Sequence, residues 1–225
     1  GMDPVDLRNK NLLKPDEFPL KSGIIGQDFV EGVLDSGDYL GNMKLCLDMI
    51  DYEKFRKEIQ PKARAEGKRL GIGVVAFTEG TAVGPYEGCK ITVSANGKVT
   101  MVTGYSTQGQ GHFTVYAQIV ADMLNVKLED VKVITGDTGH FQWGAGTFAS
   151  RGATLVSTAT YMAAQKVRAK IFATASKALN VPEDQVDLCE GSVCVKDKPE
   201  TSIPLGTLAA MANPMRGVVE PGVEP

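Results

Sequence analysis

The segment Thr107–Thr114, TQGQGHFT, is the stretch whose residue types could do chemistry most directly. It joins a β-branched run, KVTMVTGYS, to HFTVYAQIVADMLN, whose apolar residues recur at helical spacing. A helix starting here leaves its first backbone N–H groups without partners, and its dipole favours negative charge at that end. Gly109 and Gly111 allow the backbone to come close to an anion, while Gln108, Gln110 and His112 add neutral donors. Many hydrogen bonds with little added charge suit a pyrophosphate or the edge of a pterin. No Lys-Ser or Lys-Thr pair follows, as a nucleotide P-loop requires, and the spacing is not GxGxxG. The competing reading is a tight structural turn, but a turn has no need of two glutamines and a histidine.

A second segment, Asp137–Arg151, is glycine-rich and holds Trp143 and His140. It ends in Thr147, Phe148, Ala149, Ser150 and Arg151 at the start of a long helix. Thr147 and Ser150 are candidate caps there, and Arg151 is a candidate anion clamp. The alternative is a flexible loop with a solvated arginine. Both segments are loops that enter helices, so both helix mouths can face one ligand. No catalytic residue is assigned: His112 as a general base, with Glu79 or Glu87 as carboxylates, lacks a second group at a useful offset. His112 reads as a hydrogen-bonding or structural side chain. Cys89 has nothing nearby to lower its pKa.

The elements that must position these loops follow from periodicity. RLGIGVVAFTEGT, EGCKITVSANG and KVTMVTGYST read as three strands, and Asn96-Gly97 marks a hairpin between the last two. Phe113, Tyr116, Ile119, Val120, Met123 and Leu124 form the inward face of the helix after the first loop. VKVITGD reads as another strand. A long helix rich in Ala, Ser and Thr runs from about Ser150 to Leu179, and its small side chains predict burial over much of its surface. VDLCEGSVCVKD reads as a hairpin and Ile203–Met211 as a short helix. Asn42 is a candidate cap for a helix that Pro61 ends or kinks. Strands and helices alternate without regular βαβ units, so the fold class is α+β: a mixed or antiparallel sheet packed on helices, one of them long and Ala-rich. The organisation expected is an N-terminal arm or connector over 1–41, an incomplete domain over 42–212 and a C-terminal linker over 213–225.

Composition excludes several classes. The chain has 225 residues and a formal net charge of -3, with no clustered basic face for nucleic acid. Its apolar runs fall short of the roughly 20 residues of a membrane span, and GMDPVDLRNKNLL has no apolar secretory core. The default setting is cytoplasmic. Cys46, Cys89, Cys189 and Cys194 form no CxxC pair, and no protein-ligated metal site is expected. Cys189 and Cys194 could face each other across a hairpin, but four thiols in a reducing compartment is the simpler reading.

With these motifs in hand, the chain resembles the molybdopterin-binding large subunit of the molybdenum hydroxylases: the xanthine dehydrogenase, aldehyde oxidase and aerobic carbon monoxide dehydrogenase family. DPVDLRNKNLL, YEKFRKE, AEGKRLGIGVVAFTEGT, GPYEGCKITV, STQGQGHFTVYAQIVADMLNV, LEDVKVITGDT and GAGTFASRGA stand in family order over nearly the whole chain. The resemblance implies that Gln108, Gly109, Gln110, Gly111 and His112, with Thr147, Phe148, Ala149, Ser150 and Arg151, contact a molybdopterin in its cytosine dinucleotide form. Gly152 stands where the family carries a small polar residue. The chain resembles the second molybdopterin-binding domain only. The family's first-domain GGGFG-type segment is not found, and Glu220 in the proline-rich tail does not resemble the family's catalytic glutamate. The resemblance further implies oxidation of a small-molecule heterocycle, aldehyde or carbon monoxide. It implies partners in the remaining molybdopterin domain and in iron–sulfur and flavin subunits, with no part played by nucleic acid or membrane. A homo-oligomer is expected through exposed apolar surface, and the chain alone is expected to be inactive. The alternative is a remnant domain that keeps the fold without binding cofactor.

Overall fold

The computed structural model describes residues 1–26 and 29–213. The chain divides into two units, Gly1–Glu79 and the chain from Gly80 onward.

The first unit is more regular than an arm or connector predicts. Asp3 caps helix α1 (Pro4–Asn11) by accepting the Val5 N–H at 2.8 Å, with Pro4 in the first turn, where a missing N–H costs nothing. The same carboxylate accepts the Tyr52 hydroxyl at 2.9 Å and Arg56 Nε at 3.0 Å. Residues expected to be an irregular arm thus hold a helix, then an antiparallel hairpin of β1 (Leu20–Ile25) and β2 (Glu31–Leu34). Helix α2 (Tyr39–Met49) is capped by Asp38, whose carboxylate accepts the Gly41 N–H, and Asn42 lies inside the helix instead of capping it. The single helix expected to run on to Pro61 breaks at Asp51, which takes a left-handed φ of 48°. It resumes as α3 (Tyr52–Lys54), widens into a π turn over Phe55–Ile59 and continues as α4 (Gln60–Ala65). The π turn shifts the hydrogen-bond register just before Pro61, so the proline is absorbed in the first turn of α4 and does not end the helix.

RLGIGVVAFTEGT is not a strand. Its β-branched residues suit a pleated surface, but pairing needs a neighbour, and among the described residues none pairs with it. Val75 and Phe77 are accordingly exposed.

The second unit is built on β4 (Val99–Thr103), the central strand of three. β3 (Lys90–Val93) pairs with it antiparallel across the Asn96-Gly97 turn, where Gly97 takes a φ of 80°. β5 (Val131–Thr135) pairs with it parallel. Between β4 and β5 runs helix α5 (His112–Leu124), so the unit contains one βαβ crossover that the sequence pattern did not reveal. Tyr116, Ala117, Val120, Ala121 and Leu124 of α5 are buried, whereas Phe113 is half exposed; the inward face is turned toward the alanines relative to expectation. Together with Val99 and Met101 of β4 they form the core, each large side chain contributing about 1.5–3 kcal/mol on burial.

A π turn over Gly152–Val156 leads into α6 (Ser157–Leu179). Only a stripe of it, Thr160, Ala164, Ile171 and Ala175, is buried, and Tyr161 and Met162 face outward. The small residues of α6 therefore serve close packing along one line, not burial all round. β6 (Val186–Cys189) and β7 (Ser192–Val195) form the expected hairpin, β8 (Lys198–Pro204) adds an unanticipated third strand, and α7 (Leu205–Met211) follows. Cys189 and Cys194 are disulfide-bonded across the β6–β7 turn, so only Cys46 and Cys89 are thiols. The fold is α+β with mixed and antiparallel sheets, as expected. The linker expected over 213–225, Glu220 included, lies outside the described residues apart from Asn213.

Candidate functional site

β4 delivers the chain to the site. Its last residue, Thr103, is buried and donates its hydroxyl to the Gly88 carbonyl at 2.8 Å. Gly104 follows, and a Cβ there would lie 1.8 Å from the Trp143 carbonyl oxygen. Only glycine lets the 143–144 backbone cross the end of β4 at this distance. Composition marked both loops as glycine-rich, but this crossing was not legible in sequence because its partners lie far apart along the chain.

Gln108, Gly109, Gln110 and Gly111 are exposed at the mouth of α5. Gln110 Oε1 accepts the Gln108 N–H at 2.7 Å, and Gly111 serves as a left-handed N-cap residue without a side-chain cap. The first amides of α5 are therefore not consumed by a capping side chain. A Cβ at Gly109 or Gly111 would meet nothing within 4 Å, so open space lies over the loop.

The second loop comes to the same place. Thr147 donates its hydroxyl to the Ser106 carbonyl, and Gln108 Nε2 donates to the Thr147 carbonyl at 3.5 Å. Phe148 and Ser150 are exposed. Ala149 and Ser150 take successive left-handed φ values of 47° and 48°, a conformation that turns the chain sharply into the helix beyond. The opening turn of that helix has no side-chain cap, so the capping expected of Thr147 or Ser150 is not seen at this position.

Two of the ten expected residues differ from expectation in their side chains. The His112 ring is buried, edge-on to Tyr105 and stacked on Tyr116 at 5.3 Å, and burial pushes its pKa down, so the ring is neutral near pH 7. Only its backbone N–H lies at the helix mouth. The clamp expected of Arg151 is not available: its side chain is fully buried and its donors are spent within the protein. Nε reaches the Val83 carbonyl at 3.0 Å, Nη1 the Gly146 carbonyl at 2.9 Å and the Glu87 carboxylate, and Nη2 the Pro85 carbonyl. Glu87, weighed above as a catalytic carboxylate, is the counter-ion of this arginine. A Cβ at Gly152 would lie 2.8 Å from the Tyr105 hydroxyl and 2.9 Å from His112 Nε2, so the glycine at that position gives the two rings room. Burial pushes the Cys89 thiol up to about 11, as an inert core cysteine requires.

Two glycine-bounded loops thus meet over the open mouth of α5. The family is shown by comparison: residues 45–221 match the model of the molybdopterin cofactor-binding domain, and the chain belongs to that family. It is 33% identical to the carbon monoxide dehydrogenase large chain of Afipia carboxidovorans over 99% of this chain and 29% of that one. It is 32% identical to the 6-hydroxypseudooxynicotine dehydrogenase complex subunit gamma of Paenarthrobacter nicotinovorans, over 95% of this chain and 27% of that one. Among solved structures, quinoline 2-oxidoreductase from Pseudomonas putida 86 is similar at 30% identity and a TM-score of 0.65, matching all of this chain and 29% of that one. The Cu,Mo-CO dehydrogenase is similar with a TM-score of 0.60 and the same 30% identity and 29% coverage of its chain. The chain thus spans under a third of the length of these relatives.

Proposed function

We propose that this chain supplies half of the cradle for a molybdopterin, in its cytosine dinucleotide form, within the large subunit of a molybdenum hydroxylase. The observation that carries the reading is the meeting of Gln108 with Thr147, which joins both loops over the open mouth of α5. The donor set fits the group. Exposed glycine amides and glutamine carboxamides offer many neutral hydrogen bonds to a pyrophosphate, and no buried cation is spent on it. Gln108, Gly109, Gln110, Gly111 and the His112 amide would hold the cofactor from one side, and Thr147, Phe148, Ala149 and Ser150 from the other.

The bound cofactor would supply the redox chemistry that oxidises a heterocycle, an aldehyde or carbon monoxide. This chain's own residues bind and orient it. The rest of the cradle, and the iron–sulfur and flavin subunits that carry electrons away, would come from partner segments, in a cytoplasmic assembly. Among the described residues no helix is long and apolar enough to cross a membrane.

The test uses the full chain labelled for NMR and titrated with cytidine 5′-diphosphate. Weak binding is expected, with half-saturation near about 1–10 mM, as for a small ligand held by half a site. Shifts concentrated on amides 108–113 and 147–150 support the reading. Shifts elsewhere, or none at those concentrations, overturn it.

A further inference from the structure

We infer that Glu87 and Arg151 are positioning residues that hold the second loop in register with the first. This inference deepens the cofactor-cradle reading above. Neither side chain is exposed at all, and their ion pair is sealed beneath the loop that carries Thr147 and Ser150. Both ends of that loop are fastened to it. At its start, Glu87 Oε1 accepts the Ala145 N–H at 3.1 Å, and Arg151 Nη1 donates to the Gly146 carbonyl at 2.9 Å. At its end stands Arg151 itself. The other donors of the guanidinium grip the Val83 and Pro85 carbonyls, so the 83–87 segment forms a floor under the loop. The guanidinium also lies 4.8 Å over the Phe148 ring, and a Cβ at Gly84 would meet that same ring at 3.3 Å.

Between these anchors the backbone must take the two left-handed residues Ala149 and Ser150, a conformation that persists only where its surroundings over-determine it. An arginine fork is suited to that work, because its planar donors fix several carbonyls at once. A lysine offers a point charge and cannot hold that geometry. The consequence for the cradle is that the Thr147 carbonyl and hydroxyl are aimed at Gln108 and Ser106 from a clamped loop. The buried charge serves the protein backbone and not the ligand's phosphates.

The experiment compares three forms of the full chain by amide hydrogen exchange and by the same cytidine 5′-diphosphate titration: the parent, Arg151→Lys, and the double substitution Glu87→Leu with Arg151→Met. The double form removes both buried charges together, so no unpaired ion is left to unfold the core. In both variants, exchange at 145–150 should accelerate by about tenfold or more while amides of β4 and β7 keep their protection. Ligand-induced shifts at 147–150 should vanish, and those at 108–113 should persist. Uniform loss of protection across the second unit would overturn the inference, because it would mean a general stabilising role. Unchanged exchange at 145–150 in the double form would overturn it as well. If the parent shows no ligand shifts, the cradle reading fails, while the exchange data still decide whether the ion pair positions the loop.

Discussion

Gln108 and Thr147, 39 positions apart, are joined by a hydrogen bond from the Gln108 carboxamide to the Thr147 carbonyl. Nothing between them in sequence dictates that contact. It exists because β4 ends beneath one loop while the 143–144 backbone crosses its end. Replacing Gln108 by Ala removes an exposed hydrogen bond whose net worth is about 0.5–1 kcal/mol, so the melting temperature should fall by only a few degrees. The same substitution should weaken cytidine 5′-diphosphate shifts on both loops. A melting loss as large as that of a core truncation would contradict this division between stability and binding.

Gly104→Ala places a methyl group 1.8 Å from the Trp143 carbonyl oxygen. That oxygen is backbone and cannot swing away, so the loop or the strand end must move. Destabilisation of about 3 kcal/mol or more is expected, read by urea unfolding of the full chain. Gly109→Ala meets no neighbour, but its φ of 106° strains any side chain, so it should cost less, about 1–2 kcal/mol.

Acid should weaken the second unit through His112. Burial lowers its pKa below the ordinary 6.5, so below that value the unfolded chain binds a proton that the folded chain resists. Stability from this group is complete above about pH 6.5 and is lost as pH falls from there through the folded value. Melting temperature measured between pH 7 and 5 should decline, and His112→Gln should flatten the slope. An identical slope in the variant would assign the acid sensitivity to other groups.

Thiol titration separates the cysteines. In the native chain Cys46 is exposed and should react with Ellman's reagent, while Cys89, half-buried with its pKa pushed up to about 11, should lag until the chain unfolds. Cys189 and Cys194 should stay silent without reductant. Four free thiols in unreduced, denatured protein would remove the bond from the β6–β7 hairpin.

On the proposed reading, the purified chain alone should contain no stoichiometric molybdenum, because donors from one side only would leave the other face of the cofactor unheld. It should also self-associate: Ile24, Ile25, Phe29 and Val33 in and beside the β1–β2 hairpin are exposed apolar side chains. One molybdenum per chain by elemental analysis would contradict the first statement, and a strictly monomeric species in concentrated sedimentation runs the second.

Local signals carried much of the architecture. Asn96-Gly97, the helical period from Tyr116 to Leu124 and the VDLCEGSVCVKD hairpin were readable because turn chemistry and side-chain period act within a few residues. RLGIGVVAFTEGT misled because strand propensity expresses fitness for a sheet and not the presence of a neighbour. Pro61 misled because the π turn before it shifts the hydrogen-bond register and leaves the proline in the first turn of α4, where its missing N–H costs little. The parallel pairing of β4 with β5 was hidden because its partners are joined only through α5.

The sequence by itself determined the α+β class, the two glycine-rich helix mouths and, through its motifs, the resemblance to the molybdopterin-binding family. Tertiary structure decided what the individual side chains do there. Arg151 and Glu87 have the residue types of a ligand site: in sequence Arg151 is a candidate anion clamp, and Glu87 is a carboxylate weighed for catalysis and left unassigned. The fold puts the two together where both side chains are fully buried, so their charges pair with each other and the guanidinium also serves the surrounding carbonyls. Charge and spacing are local properties of a chain, whereas burial is a property of the packed whole, and here burial assigned the role.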